Sequence, residues 1–182
     1  LSSLPAIERF QARDGTWLGF RHYGAGGAPA GRVAIVIHGS SGSSGGTIHA
    51  LSQALAAHGV ETFAVDMRGH GTSGTRGDIG YVGQLEDDLS DFVALLRKSA
   101  PSEPLTLVGH SSGGGFALRI AGSRITGNSA AEGGGAVFFV SNDRTGTATV
   151  TGSTISGNPS AGFETAGLPG WFFLGARPPS IS

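Results

Sequence analysis

Leu105-Thr106-Leu107-Val108-Gly109-His110-Ser111-Ser112-Gly113-Gly114-Gly115 is the stretch whose reading decides the fold. Its first four residues are apolar or β-branched and read as a short buried strand, and the G-x-S-x-G that follows reads as a tight turn into a helix. Gly109 and Gly113 flank the turn with no side chains, which permits the strained backbone that lifts Ser111 to its tip. A helix start pressed against a strand tolerates little side chain, which accounts for Gly113, Gly114 and Gly115. Ser111 is therefore the candidate nucleophile of the chain.

Upstream of this turn, strands alternate with helical segments, the pattern of a parallel sheet built from βαβ units. Residues Ala6 to Ala12 and Trp17 to Tyr23 read as a pair of strands with Asp14-Gly15 at their turn. Val33 to Ile37 is continuously apolar, as in a strand buried on both faces, and ends at His38-Gly39. Ile48 to His58 reads as a helix with Leu51 and Leu55 on its buried stripe, ended by Gly59. Thr62 to Val65 is the next strand, and it leads into the loop Asp66-Met67-Arg68-Gly69-His70-Gly71-Thr72-Ser73-Gly74. Val82 to Lys98 is the clearest helix, because Leu85, Leu89, Phe92 and Leu96 recur at helical spacing. Its acids, Glu86, Asp87, Asp88 and Asp91, lie early and Arg97 and Lys98 last, as the helix dipole prefers. The acidic run reads as a solvated face rather than a metal site. Pro101 and Pro104 punctuate the exit.

Near Gly122 the chain changes style. The last 60 residues hold 15 Ser or Thr, two Leu and no Lys, which argues against helix. Ile125-Thr126-Gly127-Asn128 returns thirty positions later as Ile155-Ser156-Gly157-Asn158. A glycine-rich approach to a diaromatic follows each copy, at Phe138-Phe139 and at Phe172-Phe173, with four extra residues in the second. Short β segments with glycine and asparagine at corners are what a parallel β-helix shows, and the tail resembles the rungs of bacterial surface β-helix repeats. The expected organisation is an α/β domain over residues 1–122, a partial sheet with flanking helices, followed by a β-rich, β-helix-like tail over 123–182.

Composition narrows the function. With 182 residues and 38% hydrophobic content the chain is long enough for a packed core. A net charge of -1 gives no global field for nucleic acid or an anionic membrane, so neither is expected as a partner. The absence of cysteine removes disulfides and thiolate metal sites, and no histidine–carboxylate cluster has ligand spacing, so neither a metal nor another cofactor is expected. Gly42 to Gly46 lacks the lysine of a phosphate loop. No apolar run is long enough for stable membrane insertion. Leu1-Ser2-Ser3-Leu4-Pro5 has neither the basic start nor the apolar core of a signal peptide, which leaves the compartment open and leans toward the cytoplasm.

The order of three motifs is specific. His38-Gly39 closes one buried strand, Asp66-Met67-Arg68-Gly69-His70-Gly71 follows the next, and Gly109-His110-Ser111-Ser112-Gly113 follows the third. In this order, residues 1–122 resemble the N-terminal half of an α/β-hydrolase of the lysophospholipase or monoglyceride-lipase-like branch. The resemblance implies that Ser111 attacks an acyl carbonyl and becomes an acyl-enzyme. It implies an oxyanion hole from the backbone N–H groups of Ser112 and Ser40, each donor worth ~3–4 kcal/mol at the transition state. It further implies that His38 anchors the oxyanion loop, that His110 faces away from the usual base position, and that the Arg68–Gly74 loop shapes the sheet rim, with His70 a structural hydrogen-bonder. A small ester or acylglycerol-like lipid is the implied substrate.

That family places an acid and then a histidine after the serine. Here the last histidine is His110, and the tail offers only Glu132, Asp143 and Glu164. His38 and His110 are the histidines nearest Ser111 in the implied arrangement, and geometry decides whether either serves as base. The serine strand, central in the family sheet, becomes an edge, which invites self-association. Val137 to Val140 is the candidate to pair with it as a sixth strand. Three readings follow: an ester hydrolase impaired by truncation, a non-catalytic β-helix-type binding or surface module carrying a hydrolase fragment, and a recombined fusion near 122–124.

Overall fold

A computed structural model describes residues 3–27 and 31–120, and beyond them residues 124–126, 137–140, 149–150, 154–158, 160, 171–174 and 180–181. The chain divides into two compact units, Leu1–Ala117 and Leu118–Ser182.

The first unit opens with an antiparallel hairpin, β1 (Ile7–Gln11) and β2 (Trp17–Tyr23), with Phe10 opposite Leu18. There follow β3 (Val33–Ile37), α1 (His49–Ala57), β4 (Glu61–Val65), α2 (Gln84–Ser99), β5 (Leu105–Gly109) and α3 (Ser112–Ile120). The five strands form one mixed sheet in the order β1-β2-β4-β3-β5. β3 runs parallel to both β4 and β5, in a register that places Ile35 opposite Phe63 and Leu107. All five residues of β3 are buried, as its unbroken apolar run requires. Among the described residues β5 is terminal in the sheet and only half-covered, in keeping with the expected edge.

Neighbouring residues on a strand face opposite sides, and the two helices use this. On one face Tyr23, Val36 and Ala64 pack with Ile48 and Ala56 of the α1 segment, joined by Leu55 and Val108. On the other, Phe92 of α2 lies 5.0 Å, centroid to centroid, from both Phe10 and Phe20 and 6.0 Å from Phe63. The buried stripe of α1 differs from the expected one: Leu51 is exposed and Ser52 is fully buried. The Ser52 hydroxyl donates to the Ile48 carbonyl at 2.8 Å, which satisfies it inside the turn and lets a small residue face the sheet.

The acidic face of α2 also departs in part from expectation, because Asp87, Asp88 and Asp91 are paired with arginines, Asp88 in the interior and Asp87 still open to solvent. Asp88 is buried and takes a two-pronged hydrogen bond from Arg68, Nε and Nη2 each at 2.8 Å. The same guanidinium reaches Asp14 at 3.0 Å and the Thr16 hydroxyl at 2.9 Å. Arg13 clasps Asp87 and Asp91, both at 2.8 Å. These contacts bind the β1–β2 turn, the loop after β4 and α2 into one network. Arginine suits the centre of it because its planar fork matches a carboxylate edge on. The Thr16 backbone N–H, with Arg68 in support, holds the Asp14 carboxyl down at about 2.

In the second unit, β6 (Arg124–Thr126) pairs in parallel with β9 (Thr154–Ser156), β7 (Val137–Val140) with β10 (Trp171–Leu174), and β8 (Thr149–Val150) with β11 (Ser180–Ile181). The repeated segments meet residue for residue, Ile125 opposite Ile155 and Phe138 opposite Phe172. Among the described residues Val137–Val140 thus pairs with the second diaromatic, where a sixth strand beside β5 was expected. The matching β-branched and aromatic side chains of the two copies favour that in-register parallel partner.

Two outcomes follow. Arg68→Met strands a buried Asp88 carboxylate and is expected to cost ~3–5 kcal/mol in urea unfolding, with much of it recovered by adding Asp88→Leu. A double variant no more stable than the single would show that the stranded charge is not the source. For Asp14, folding depresses the pKa, so its contribution is complete above the ordinary aspartate range. Stability is expected to fall as pH drops from about 4 through about 2, a loss that Asp14→Asn should remove from the pH profile.

Candidate active site

The site stands at the C-terminal ends of β3 and β5. The ladder between them continues past Gly109, because the His110 N–H donates to the Ile37 carbonyl at 3.0 Å. The chain then reverses at Ser111, whose φ of 55° is left-handed, a conformation that costs a serine ~1–3 kcal/mol. The turn closes through Gly113 N–H to the His110 carbonyl at 3.0 Å and Gly114 N–H to the Ser111 carbonyl at 2.9 Å. Ser111 is exposed at its tip.

Close approach explains the flanking glycines. A Cβ on Gly113 would stand 2.4 Å from the His38 carbonyl oxygen, and one on Gly109 2.3 Å from that of Gly113. At Gly39 it would meet the Ser111 Cβ at 2.8 Å. The start of α3 therefore lies directly on the end of β3, with Ser111 against Gly39. Across this contact the hydroxyls of Ser40 and Ser112 are 3.2 Å apart. Neither the Ser40 N–H nor the Ser112 N–H donates to an acceptor among the described residues. A cavity of about 290 Å³ opens here, bounded by residues 39–43, Gly46, Thr47, His110 and Ser111.

His38 is buried, and both of its ring nitrogens are engaged. Nδ1–H donates to the Gly39 carbonyl at 2.7 Å, and Nε2 accepts the Met67 N–H at 3.1 Å. Burial, aided by the His70 ring 5.1 Å away, holds this imidazole below its ordinary pKa and so neutral. With no lone pair left, His38 cannot take a proton from Ser111. His110 is exposed and lines the cavity beside Ser111, but among the described residues no imidazole is hydrogen-bonded to the Ser111 hydroxyl. His70 donates Nδ1–H to the Arg68 carbonyl at 3.2 Å. Glu132, Asp143 and Glu164 lie outside the described residues.

Asp66 received no role from the sequence and is central in the structure. It is buried; one carboxylate oxygen accepts the Ser44 N–H at 2.6 Å, and the other accepts the Thr72 N–H at 2.9 Å and hydroxyl at 3.1 Å. It fastens the loop after β3 to the loop after β4. Gly71 makes room for it, since a Cβ there would fall 2.3 Å from the carboxyl group. Ser41, left-handed with φ 58°, was likewise unmarked: nothing in a run of serines and glycines distinguishes it. Among the described residues no cluster of acids and histidines is arranged to hold a metal ion, and no helix is long and apolar enough to cross a membrane.

The chain is similar to known proteins. The chain is 32% identical over 85 residues to a monoacylglycerol lipase of Mycolicibacterium smegmatis, a match covering 46% of this chain and 30% of the relative; the chain thus spans under a third of that protein's length. A soluble variant of monoglyceride lipase from Saccharomyces cerevisiae superposes with TM-score 0.56 at 27% identity, over 65% of this chain and 40% of that one. A lidless α/β serine hydrolase from Xanthomonas campestris superposes with TM-score 0.54 at 25% identity, over 76% and 66%. The α/β serine hydrolase homologue of Coxiella burnetii, at 18% identity and TM-score 0.58, shares the fold over 67% and 59%. Residues 28–134 match the hydrolase family described as serine aminopeptidase, S33, and with the sheet, the flanking helices and the serine turn in place, the chain belongs to that family as a partial α/β-hydrolase of the monoglyceride-lipase kind.

Proposed function

We propose that this chain carries the nucleophile half of a serine hydrolase that cleaves carboxylic esters of the acylglycerol type. The observation that carries the reading is Ser111, exposed on a left-handed turn with the uncommitted N–H groups of Ser40 and Ser112 beside it. In this reading the Ser111 Oγ attacks the acyl carbonyl and its proton leaves with the alcohol. The two N–H groups receive the negative oxygen, and water later releases the acid. Preformed N–H donors contribute most in such a step, since they need no rearrangement as charge develops.

The proton is the weak point. His38 is neutral and fully hydrogen-bonded, so it holds the oxyanion loop instead of serving as base. Without a base the hydroxyl stays neutral, and binding with oxyanion stabilisation alone leaves ~10³–10⁴-fold over water. Turnover by this chain alone is therefore impaired, while the shape that receives an acyl group is kept. A second reading, favoured by the in-register pairing of Ile125 with Ile155, makes the second unit a β-helix-type surface or binding module. Common protection of the Ile125 and Ile155 amides from hydrogen exchange is expected for it, and free exchange of both would end it.

Fluorophosphonate labelling followed by intact mass tests the main reading. The native chain should gain one adduct slowly, and both Ser111→Ala and the denatured chain should gain none; no adduct on the native chain would overturn it. Gly113→Ala pushes α3 off β3 and should cost ~1–3 kcal/mol. Because it also displaces Ser111, it should slow labelling ~10–100-fold. Labelling at the normal rate would separate the elbow geometry from reactivity.

A further inference from the structure

A second cavity, of about 410 Å³, adjoins the loop after β3. It shares Ser41, Gly42 and Ser43 with the cavity at Ser111 and is completed by residues of the loop after β4, among them His70 and Arg76. Its walls are unusual in chemistry. Five of the lining residues are glycines, no apolar side chain and no carboxylate contributes, and the groups that remain are two serines, His70 and Arg76. Such a wall offers more to a polar group than to an acyl chain, which is held by apolar side chains.

Arg76 supplies the sign of the ligand. It is exposed and forms no ion pair with any described residue, in contrast to Arg13 and Arg68, which are both saturated by aspartates. Asp78, its near neighbour in sequence, does not line the cavity. The Ser41 and Ser43 hydroxyls add neutral donors. His70 is held by its Nδ1–H on the Arg68 carbonyl, which leaves Nε2 as its remaining polar atom for a ligand. Glycine keeps the walls low, so that a compact polar group can reach the backbone.

We infer that this cavity is an anion subsite that holds the non-reacting end of the ester substrate, a phosphate or carboxylate borne by its alcohol part, with Arg76 as the charge partner. The inference rests on the ester-hydrolase reading of Ser111. The shared wall of Ser41, Gly42 and Ser43 is what joins the two cavities: an ester bound across it would place its carbonyl at Ser111 and its anion at Arg76. Arg76 is a positioning residue here, with no part in proton transfer.

Calorimetric titration of the full chain carrying Ser111→Ala tests the subsite without turnover, using glycerol, glycerol 3-phosphate, succinate monomethyl ester and inorganic phosphate as probes. The two organic anions should bind and glycerol should not. Arg76→Gln should weaken binding at least about tenfold, the scale of one charge-assisted hydrogen bond, and Arg76→Lys should restore part of it. Absence of binding by either organic anion, or binding indifferent to Arg76→Gln, would overturn the inference. Inorganic phosphate bound as tightly as glycerol 3-phosphate would mark a site for free anions and overturn the assignment to substrate. Failure of fluorophosphonate labelling with Arg76-dependent binding intact would instead count against the hydrolase reading, so the two failures are distinguishable.

Discussion

The contact between the first turn of α3 and the end of β3 is the constraint on which this site depends. At Gly113 backbone meets backbone, on the carbonyls of Ile37 and His38, and Gly39 packs directly under the Ser111 Cβ. A serine held at positive φ is under strain, and it persists only because the β3–β5 ladder on one side and α3 on the other fix the residues around it. The position of Ser111 is thus a packing result, set by two strands and a helix.

A second layer supports the first. The loop after β3 is held from behind by Asp66 and by His38, one accepting the Ser44 N–H and the other bonded to Gly39 and Met67. Both are buried polar groups whose hydrogen-bonding capacity is used locally, the condition under which such groups rigidify a structure. The cost is chemical. An imidazole that serves as a strut between two loops has no lone pair to offer a neighbour.

Much of this was legible from residues alone, because it follows from local pattern. The unbroken Val33–Ile37 run fixed a doubly buried strand, the leucine and phenylalanine spacing in α2 fixed its inner face, and the glycines around Ser111 fixed the turn. The misreadings share a cause, namely partners remote in sequence. The acids of α2 looked solvated because their arginines stand some seventy positions earlier in the one case and across a loop in the other. Leu51 looked buried because helical spacing alone cannot tell which of two adjacent stripes a sheet will cover. Val137–Val140 has the composition of a strand but not the name of its neighbour, which proved to be its own repeat.

The sheet order bears on how the molecule reaches its shape. Ser40 and Ser112, whose hydroxyls are hydrogen-bonded, are 72 positions apart, and β3 and β5, the strands that lead toward them, are neighbours although α1, β4 and α2 lie between them in the chain. Closing so long a loop is an entropic cost met before any contact rewards it, so pairing of this kind comes late in folding. The hairpin and α2 rest on contacts between residues near in sequence, whereas the elbow, for all its local hydrogen bonds, is seated on β3 only through this remote pairing. The turn at Ser111 is therefore completed only where β3, β5 and α3 have come together.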